Sequence, residues 1–175
     1  MKIDYTLSKQ DYIDFNLYHA ENSPAIKKTI SIQKFTFPFL FLAIVFFITR
    51  TTKLSQWYGL VISFVLSIVW IVLYPKYYKI ELARKVSKMF NKGKNADMLG
   101  DKTLTLTNKG IVSTSIHSES QIRWKDIQKV EETKDNIYIY ISLVSAFIVP
   151  LRAFKDMDEK DMFMEKLNMY MNKTK

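Results

Sequence analysis

The chain of 175 residues contains no cysteine, four glycines, four prolines and two histidines. Without cysteine it forms no disulfide, no thiolate nucleophile and no cysteine-ligated metal site. Four glycines are too few for a glycine-rich phosphate-binding loop beside ordinary turns. His19 and His117 are each expected to be surface or half-buried side chains, with a catalytic base or a metal ligand as the alternative.

The net charge of +9 is distributed unevenly. Residues 76–94 carry seven basic residues against Glu81 alone, whereas residues 95–175 carry twelve of each sign. Basic residues beside an apolar run attract anionic lipid headgroups by about 1 kcal/mol each, whereas nucleic-acid binding needs a basic face on the folded domain. We therefore expect no nucleic-acid binding. The predicted headgroup contacts are Lys76, Lys79, Arg84, Lys85 and Lys88.

Two uncharged apolar runs occupy residues 35–49 and 54–75. The second has aromatic residues near both ends and is long enough to span about 30 Å of hydrocarbon as a helix. The first is shorter and contains Pro38, so it spans only if the helix extends beyond the run. A helix that begins at Pro24 after Ser23 would provide that extension. We predict a transmembrane hairpin over 35–75, with helices at about 35–52 and 55–75; a re-entrant or interfacial first segment is the alternative.

Basic residues predict the orientation of this hairpin. Seven follow the second run, five precede the first, and only Arg50 and Lys53 lie in the connector. The positive-inside rule then places both termini in the cytoplasm and the connector outside. A multi-pass protein of the plasma membrane is expected.

The segments beside the hairpin carry weaker patterns. Residues 1–34 predict a cytoplasmic arm made of a strand at 2–7 and a helix at about 9–20, with Ser8 and Asp11 as a capping box. Residues 76–100 predict a basic linker that is helical at 77–91. This helix lies at the headgroups or continues the second transmembrane helix into solvent. A flexible link over 91–100 follows.

Residues 101–175 predict a separate cytoplasmic domain. Alternation with a period of two predicts six antiparallel strands in meander order, at 103–107, 111–116, 121–124, 127–133, 137–141 and 146–149. A helix follows, with Asp156 as N-cap, Glu159 completing a capping box, and a buried stripe at Phe163, Leu167, Tyr170 and Met171. A curled sheet or small barrel closed by a helix is the plan of a pleckstrin-homology-like (PH-like) domain. The fold class is therefore an α+β membrane protein.

Several segments of this half resemble a known family. They are Thr103-Leu104-Thr105-Leu106, Trp124-Lys125-Asp126-Ile127 and Pro150-Leu151-Arg152-Ala153-Phe154. With the preceding hairpin, they are similar to the YcxB-like membrane proteins of low-GC Gram-positive bacteria. The resemblance implies a bacterial PH-like module on two transmembrane helices, and it carries no catalytic signature.

Four residues of the domain are candidates for partner docking, namely Trp124, Arg152, Met162 and Met169. Structural roles are favoured for the first two: Trp124 packing on the closing helix, and Arg152 pairing with the acidic helix start at Asp156, Asp158 and Glu159. Met162 and Met169 fall outside the buried stripe, so they predict an adaptable surface. Lys102 and Lys109 near the first turn are too few to predict inositol-phosphate recognition.

The remaining small residues and the missing signatures complete the prediction. Gly59, Ser63 and Ser67, four residues apart, form a stripe for helix contact. We expect no enzymatic activity, no cofactor and no bound metal. The predicted function is that of a membrane-anchored adaptor on the cytoplasmic face, which docks a membrane protein. The alternatives are an anionic-lipid sensor that uses residues 76–94, and a homo-oligomeric membrane or toxin-resistance element assembled through the stripe.

Overall fold

The computed structural model describes residues 1–52, 55–91, 98–116 and 118–173. They divide into two compact units, one of residues 1–15 with 86–175, and one of residues 16–85. We call the first the β-unit and the second the hairpin unit. His117, Lys53 and most of the link expected over 91–100 lie outside the described residues.

The β-unit contains two antiparallel sheets. The first has four strands in sequential order: β1 (Lys2–Leu7), β2 (Gly100–Leu106), β3 (Gly110–Ser115) and β4 (Glu119–Arg123). The second has three: β5 (Lys129–Glu132), β6 (Asn136–Tyr140) and β7 (Ala146–Pro150). The six strands predicted after residue 100 are all present, and short 3₁₀ helices at Trp124–Asp126 and Leu151–Ala153 follow β4 and β7.

The first strand belongs to this sheet and not to a separate arm. Lys2–Leu7 pairs with β2 so that Ile3 faces Leu104 and Leu7 faces Gly100. Ile3, Tyr5 and Leu7 are buried while the residues between them are exposed, which is the alternation of a strand with one face on a core. The chain therefore leaves the sheet after β1 and returns at β2 more than ninety residues later.

Helices cover the core of the β-unit. Helix α1 (Lys9–Asn22) starts at the predicted capping box, in which the Ser8 backbone N–H donates to Asp11 Oδ2 at 2.7 Å. Its Phe15 ring packs edge-on against Tyr138 of β6 at 5.3 Å between centroids. Burial raises the pKa of Tyr138 to about 12, so this ring is neutral at physiological pH. The core therefore lies between α1 and the sheets, in keeping with the α+β class.

The closing helix α4 (Met157–Asn172) follows its prediction. Asp156 is the N-cap and its Oδ1 accepts from the Glu159 backbone N–H at 2.8 Å, while the Glu159 carboxylate accepts from Lys155 N–H. Phe163 and Leu167 are fully buried. A cap of this kind stabilises a helix start by about 1 kcal/mol, and burial of the two apolar side chains holds the helix on the sheets.

The hairpin unit is formed by α2 (Pro24–Thr51) and α3 (Gln56–Asn91). Helix α2 begins at Pro24 with Ser23 as N-cap, as expected, and continues through Pro38. Its 28 residues are about 42 Å long at 1.5 Å per residue, which exceeds the thickness of a bilayer core. Helix α3 continues through Pro75 to Asn91, so the predicted helix over 77–91 is a continuation of the second apolar helix.

Both helices are long and apolar enough to cross a membrane. Only 6% of the apolar window of α2 and 17% of that of α3 are buried, so neither is the core helix of a soluble protein. Large apolar side chains such as Phe39, Phe47 and Phe64 are about 70% exposed. In water this surface would be very unfavourable, and the hairpin therefore indicates association with a membrane.

Candidate functional site

The basic residues after the apolar part of α3 remain at the surface. Lys76, Lys79, Arg84, Lys85 and Lys88 are all exposed. Lys79 pairs with Glu21 at 2.5 Å, and Arg84 pairs with Glu81 at 2.8 Å. Among the described residues, Lys76, Lys85 and Lys88 have no carboxylate partner. The structure therefore leaves three uncompensated cations on one helical segment.

Trp124 is a packing residue, as the sequence favoured. It lies on the 3₁₀ turn after β4, is buried, and stacks on Tyr170 of α4 with centroids 4.9 Å apart and rings 17° from parallel. Its Nε1–H donates to the Thr107 carbonyl at 3.0 Å. Asp126, on the same turn, accepts from Arg123 at 2.9 Å. Trp124 thus joins the end of β4 to the β2–β3 turn and to α4, and it offers no free ring to a partner.

Arg152 does not pair with the start of α4, and that expectation was wrong. Its guanidinium reaches Asp11 at the start of α1: Nη1 donates to Oδ1 at 2.8 Å, and Nη2 donates to Oδ2 and to the Thr6 carbonyl. Asp156 and Glu159 are instead engaged in the helix cap. A bidentate pair to a carboxylate 141 residues away is better satisfied than a single contact to an exposed helix start.

The environment of Asp11 explains the strength of this contact. Its side chain is only 4% exposed, whereas that of Arg152 is 55% exposed. Burial alone would raise the pKa of Asp11, but hydrogen bonds from Arg152 and Ser8, together with the positive charge of Arg152, lower it below its usual value. Asp11 is therefore ionised in the folded protein, and Arg152 ties the start of α1 to the end of β7.

The methionines of α4 divide into two groups. Met162 and Met169 are 52% and 42% exposed, whereas Met164 and Met171 are half-buried. The expectation that the first two lie off the buried stripe is confirmed. Of the four residues considered for partner docking, only these two present an apolar side chain to the surroundings.

The small residues of α3 face α2 within the same chain. Ser63 is fully buried, and a Cβ at Gly59 would lie 2.7 Å from Thr49 Cγ2 and 2.9 Å from Val45 Cγ1. Gly59 therefore permits a close approach of the two helices. Ser67 is half-buried, and its hydroxyl donates to the Ser63 carbonyl at 2.7 Å. The stripe predicted for helix contact is occupied in this region by the hairpin itself.

An open pocket of about 210 Å³, lined by polar and apolar groups in nearly equal share, lies in the β-unit, and sequence reasoning did not find it. We call it the serine pocket. One wall is the four-stranded sheet with its β3–β4 turn, which carry Lys102 and four serines, and the other is the β6–β7 hairpin with Ile141 and Ala146. The serines are Ser113, Ser115, Ser118 and Ser120.

The strand register shows how the pocket arises. Tyr5, Lys102 and Ser115 lie opposite one another across β1, β2 and β3, and so do Leu104, Ser113 and Ser120 across β2, β3 and β4. Directly opposed residues share a face of the sheet. One step further along, the same face carries Leu106, Ile111 and Ile122. The inner face therefore changes from apolar to polar towards the β3–β4 turn.

Lys102 is the one cation among the described residues that line the serine pocket. Among the described residues, no carboxylate or other side chain forms an ion pair or hydrogen bond with its amino group. Burial lowers the pKa of Lys102 from its usual value. The signal in the sequence was the alternation Ile111, Ser113, Ser115, in which serine replaces the apolar residue expected at a core-facing position. The described residues contain no cluster of histidine, aspartate and glutamate suited to a metal ion.

Comparison with protein families identifies the C-terminal part of the chain. Residues 106–167 match the family model described as YcxB-like protein, so the expected YcxB-like assignment is confirmed for this segment. The match runs from the end of β2 into α4 and contains both the Trp124–Ile127 and the Pro150–Phe154 segments. No curated protein and no solved structure matches the chain significantly.

Proposed function

We propose that this protein is a membrane-anchored binding module, without enzymatic activity, that docks a membrane-protein partner on the cytoplasmic face. The observation that carries the proposal is the insertion of two apolar helices of membrane length between β1 and β2 of one sheet. Two covalent connections therefore hold the β-unit to its anchor. A domain of this kind is suited to presenting a surface beside the bilayer.

The orientation and fold in this proposal go further than the membrane association itself. The positive charge that follows the apolar part of α3 supports cytoplasmic termini in the plasma membrane. Sheets of four and three strands closed by a C-terminal helix support a PH-like β-unit. Because the chain has no cysteine, Thr52→Cys and Lys173→Cys report the topology: an impermeant maleimide added to intact cells should label the first and not the second. Labelling of Lys173→Cys would contradict the orientation.

Met162 and Met169 are the docking residues that the geometry supports. Both are exposed on α4, and methionine adapts its shape to different apolar partners. Trp124 and Arg152, by contrast, are engaged with Tyr170 and Asp11. The proposed contact surface is therefore the exposed face of α4.

The test is native mass spectrometry of the complex extracted from its membrane in mild detergent. We expect a stoichiometric second membrane protein with the wild type, and its loss with the double variant Met162→Glu and Met169→Glu. The matched control is Asn168→Glu with Asn172→Glu, which adds the same charge at exposed positions of the same helix. Equal loss in both variants, or a bare wild-type protein, would refute docking through this face.

The three uncompensated lysines support a second function, the sensing of anionic lipids. Lys76, Lys85 and Lys88 should each contribute about 1 kcal/mol of attraction to anionic headgroups at low salt. Their replacement with glutamine should reduce the number of anionic lipids retained per protein. It should also make that number less sensitive to the salt concentration. The control replaces Lys134, Lys155 and Lys166 with glutamine. Salt-independent retention, unchanged in the first variant, would exclude this function.

A further inference from the structure

The serine pocket contains polar groups at positions where a folding domain would place apolar ones. Ser113 and Ser115 continue the inner face that begins with the buried Ile111, and Lys102 stands between Tyr5 and Ser115 in the row across the sheet. A half-buried lysine without a carboxylate partner costs folding free energy. Sequences depart from such packing rules mainly at functional or strained sites.

The geometry points to binding of a phosphodiester group in the serine pocket. Lys102 would supply one positive charge, and the hydroxyls of Ser113 and Ser120 neutral donors, while the Ser115 hydroxyl is hydrogen-bonded to Ser118. A phosphodiester carries one negative charge, which a single lysine balances, whereas a phosphate monoester carries close to two at neutral pH. Its oxygens accept several hydrogen bonds at once, as a wall of hydroxyl groups requires.

The pocket is flanked by two turns with exposed apolar side chains. Ile116 follows Ser115 at the end of β3 and is 77% exposed. Leu143 and Val144 lie in the turn between Ile141 and Ala146 and are 81% and 68% exposed. Isolated apolar side chains are common on protein surfaces, but these lie in the two turns whose neighbouring residues form the pocket walls. They favour a phosphodiester that is attached to an apolar chain, which is the headgroup of a phospholipid.

The test uses the full-length protein in neutral maltoside micelles, titrated with dioctanoylphosphatidylglycerol and, separately, with its deacylated headgroup glycerophosphoglycerol. Native mass spectrometry measures the affinity, and hydrogen–deuterium exchange locates the protected segment. The variants are Lys102→Gln and the matched control Lys109→Gln, which removes an exposed lysine in the turn at the other end of β3. Both variants keep the basic segment of α3 intact.

We expect saturable binding that protects residues 111–120 and weakens about tenfold or more in Lys102→Gln, while Lys109→Gln behaves as wild type. Binding of the lipid alone identifies a lipid headgroup as the ligand, and equal binding of glycerophosphoglycerol identifies a soluble phosphodiester. Equal affinity of Lys102→Gln and Lys109→Gln would overturn the proposal, as would the absence of saturable binding of either probe.

A second measurement separates a binding role from a structural one. Because burial disfavours the charged form of Lys102, Lys102→Gln should unfold at the same temperature as the wild type or a higher one. A variant that loses affinity only because it unfolds would show a lower temperature, and this result would also count against the pocket. The proposal uses none of the exposed methionines of α4, so its failure would leave partner docking open.

Discussion

At the scale of single residues, the ion pair between Arg152 and Asp11 joins two distant parts of the chain. It joins the 3₁₀ turn after β7 to the first turn of α1 through a carboxylate that is almost completely buried. Arg152 lies in one of the three segments that carry the resemblance to YcxB-like proteins. Its role in this chain is to hold Asp11, and through Asp11 the start of α1.

We expect Arg152→Met to destabilise the β-unit by about 2 kcal/mol at pH 7, because a buried carboxylate loses two charged hydrogen bonds. Unfolding in detergent, followed by near-ultraviolet circular dichroism, measures the change. The control is Arg123→Met, which breaks the exposed pair with Asp126 and should cost about 0–1 kcal/mol. Equal effects of the two variants would show that Asp11 does not depend on Arg152.

The same pair predicts a dependence on pH. The pKa of Asp11 is lower in the folded state than its ordinary value of 3.8, so the unfolded chain takes up the proton first as the pH falls. The stabilisation is therefore complete above the unfolded pKa and is lost as the pH falls through the folded pKa. The gap between wild type and Arg152→Met should narrow below about pH 4, and a gap that stays constant there would contradict this assignment.

At the scale of elements, α2 and α3 pack closely because α3 presents small side chains to α2. Gly59 lies against Thr49 and Val45 near the connector, and Trp70 packs between Phe37 and Tyr74 further along the pair. The Tyr74 hydroxyl also donates to the Gln33 side chain. Small residues near one end and aromatic rings near the other hold the two helices together along their length.

This packing predicts a disulfide within one chain. A Cβ at Gly59 lies 3.8 Å from Thr49 Cβ, which is the mean separation in disulfides. Oxidation of Thr49→Cys with Gly59→Cys should give a monomer that is 2 Da lighter by intact mass spectrometry. If the stripe instead joined two copies, Gly59→Cys alone would form a covalent dimer on a non-reducing gel, and the intrachain bond would not form.

At the scale of the whole molecule, the hairpin is inserted in the chain between β1 and β2, which pair in one sheet. The folded domain therefore includes β1 as well as residues 101–175. Residues 101–175 lack β1, which contributes Ile3, Tyr5 and Leu7 to the core and covers the edge of β2. Without β1, a row of unpaired backbone groups and a strip of apolar surface would be exposed. Exposed strand edges of this kind lead to aggregation.

We predict that residues 100–175 alone aggregate, whereas residues 1–22 joined through a flexible glycine–serine linker to residues 98–175 form a soluble folded domain. Residues 1–22 keep β1 together with Asp11 and Phe15 of α1, which contact Arg152 and Tyr138. Dispersion of the amide proton resonances would report folding. Ile3→Asp in the fused chain is the control, since Ile3 is 3% exposed, and it should return the domain to the unfolded state. A well-dispersed spectrum from residues 100–175 alone would disprove the requirement for β1.

Much of the secondary structure was predictable because its signals are local. Uncharged runs indicated α2 and α3, alternation indicated the seven strands, and the Asp156–Glu159 pattern indicated the start of α4. The packing of Trp124 on the closing helix was also predictable, although its partner Tyr170 was not. The positions of Pro38 and Pro75 inside helices were harder to predict, because proline usually ends a helix.

The sequence by itself determined the apolar hairpin, the position of the positive charge and the strand pattern, because each depends on neighbouring residues. Only the tertiary structure decided that β1 pairs with β2, that Arg152 holds Asp11, and that Lys102 shares a pocket with four serines. These contacts join residues far apart in the chain, or depend on strand register. They form because closing a long loop costs little more than closing a short one, whereas burying a whole strand face gains far more.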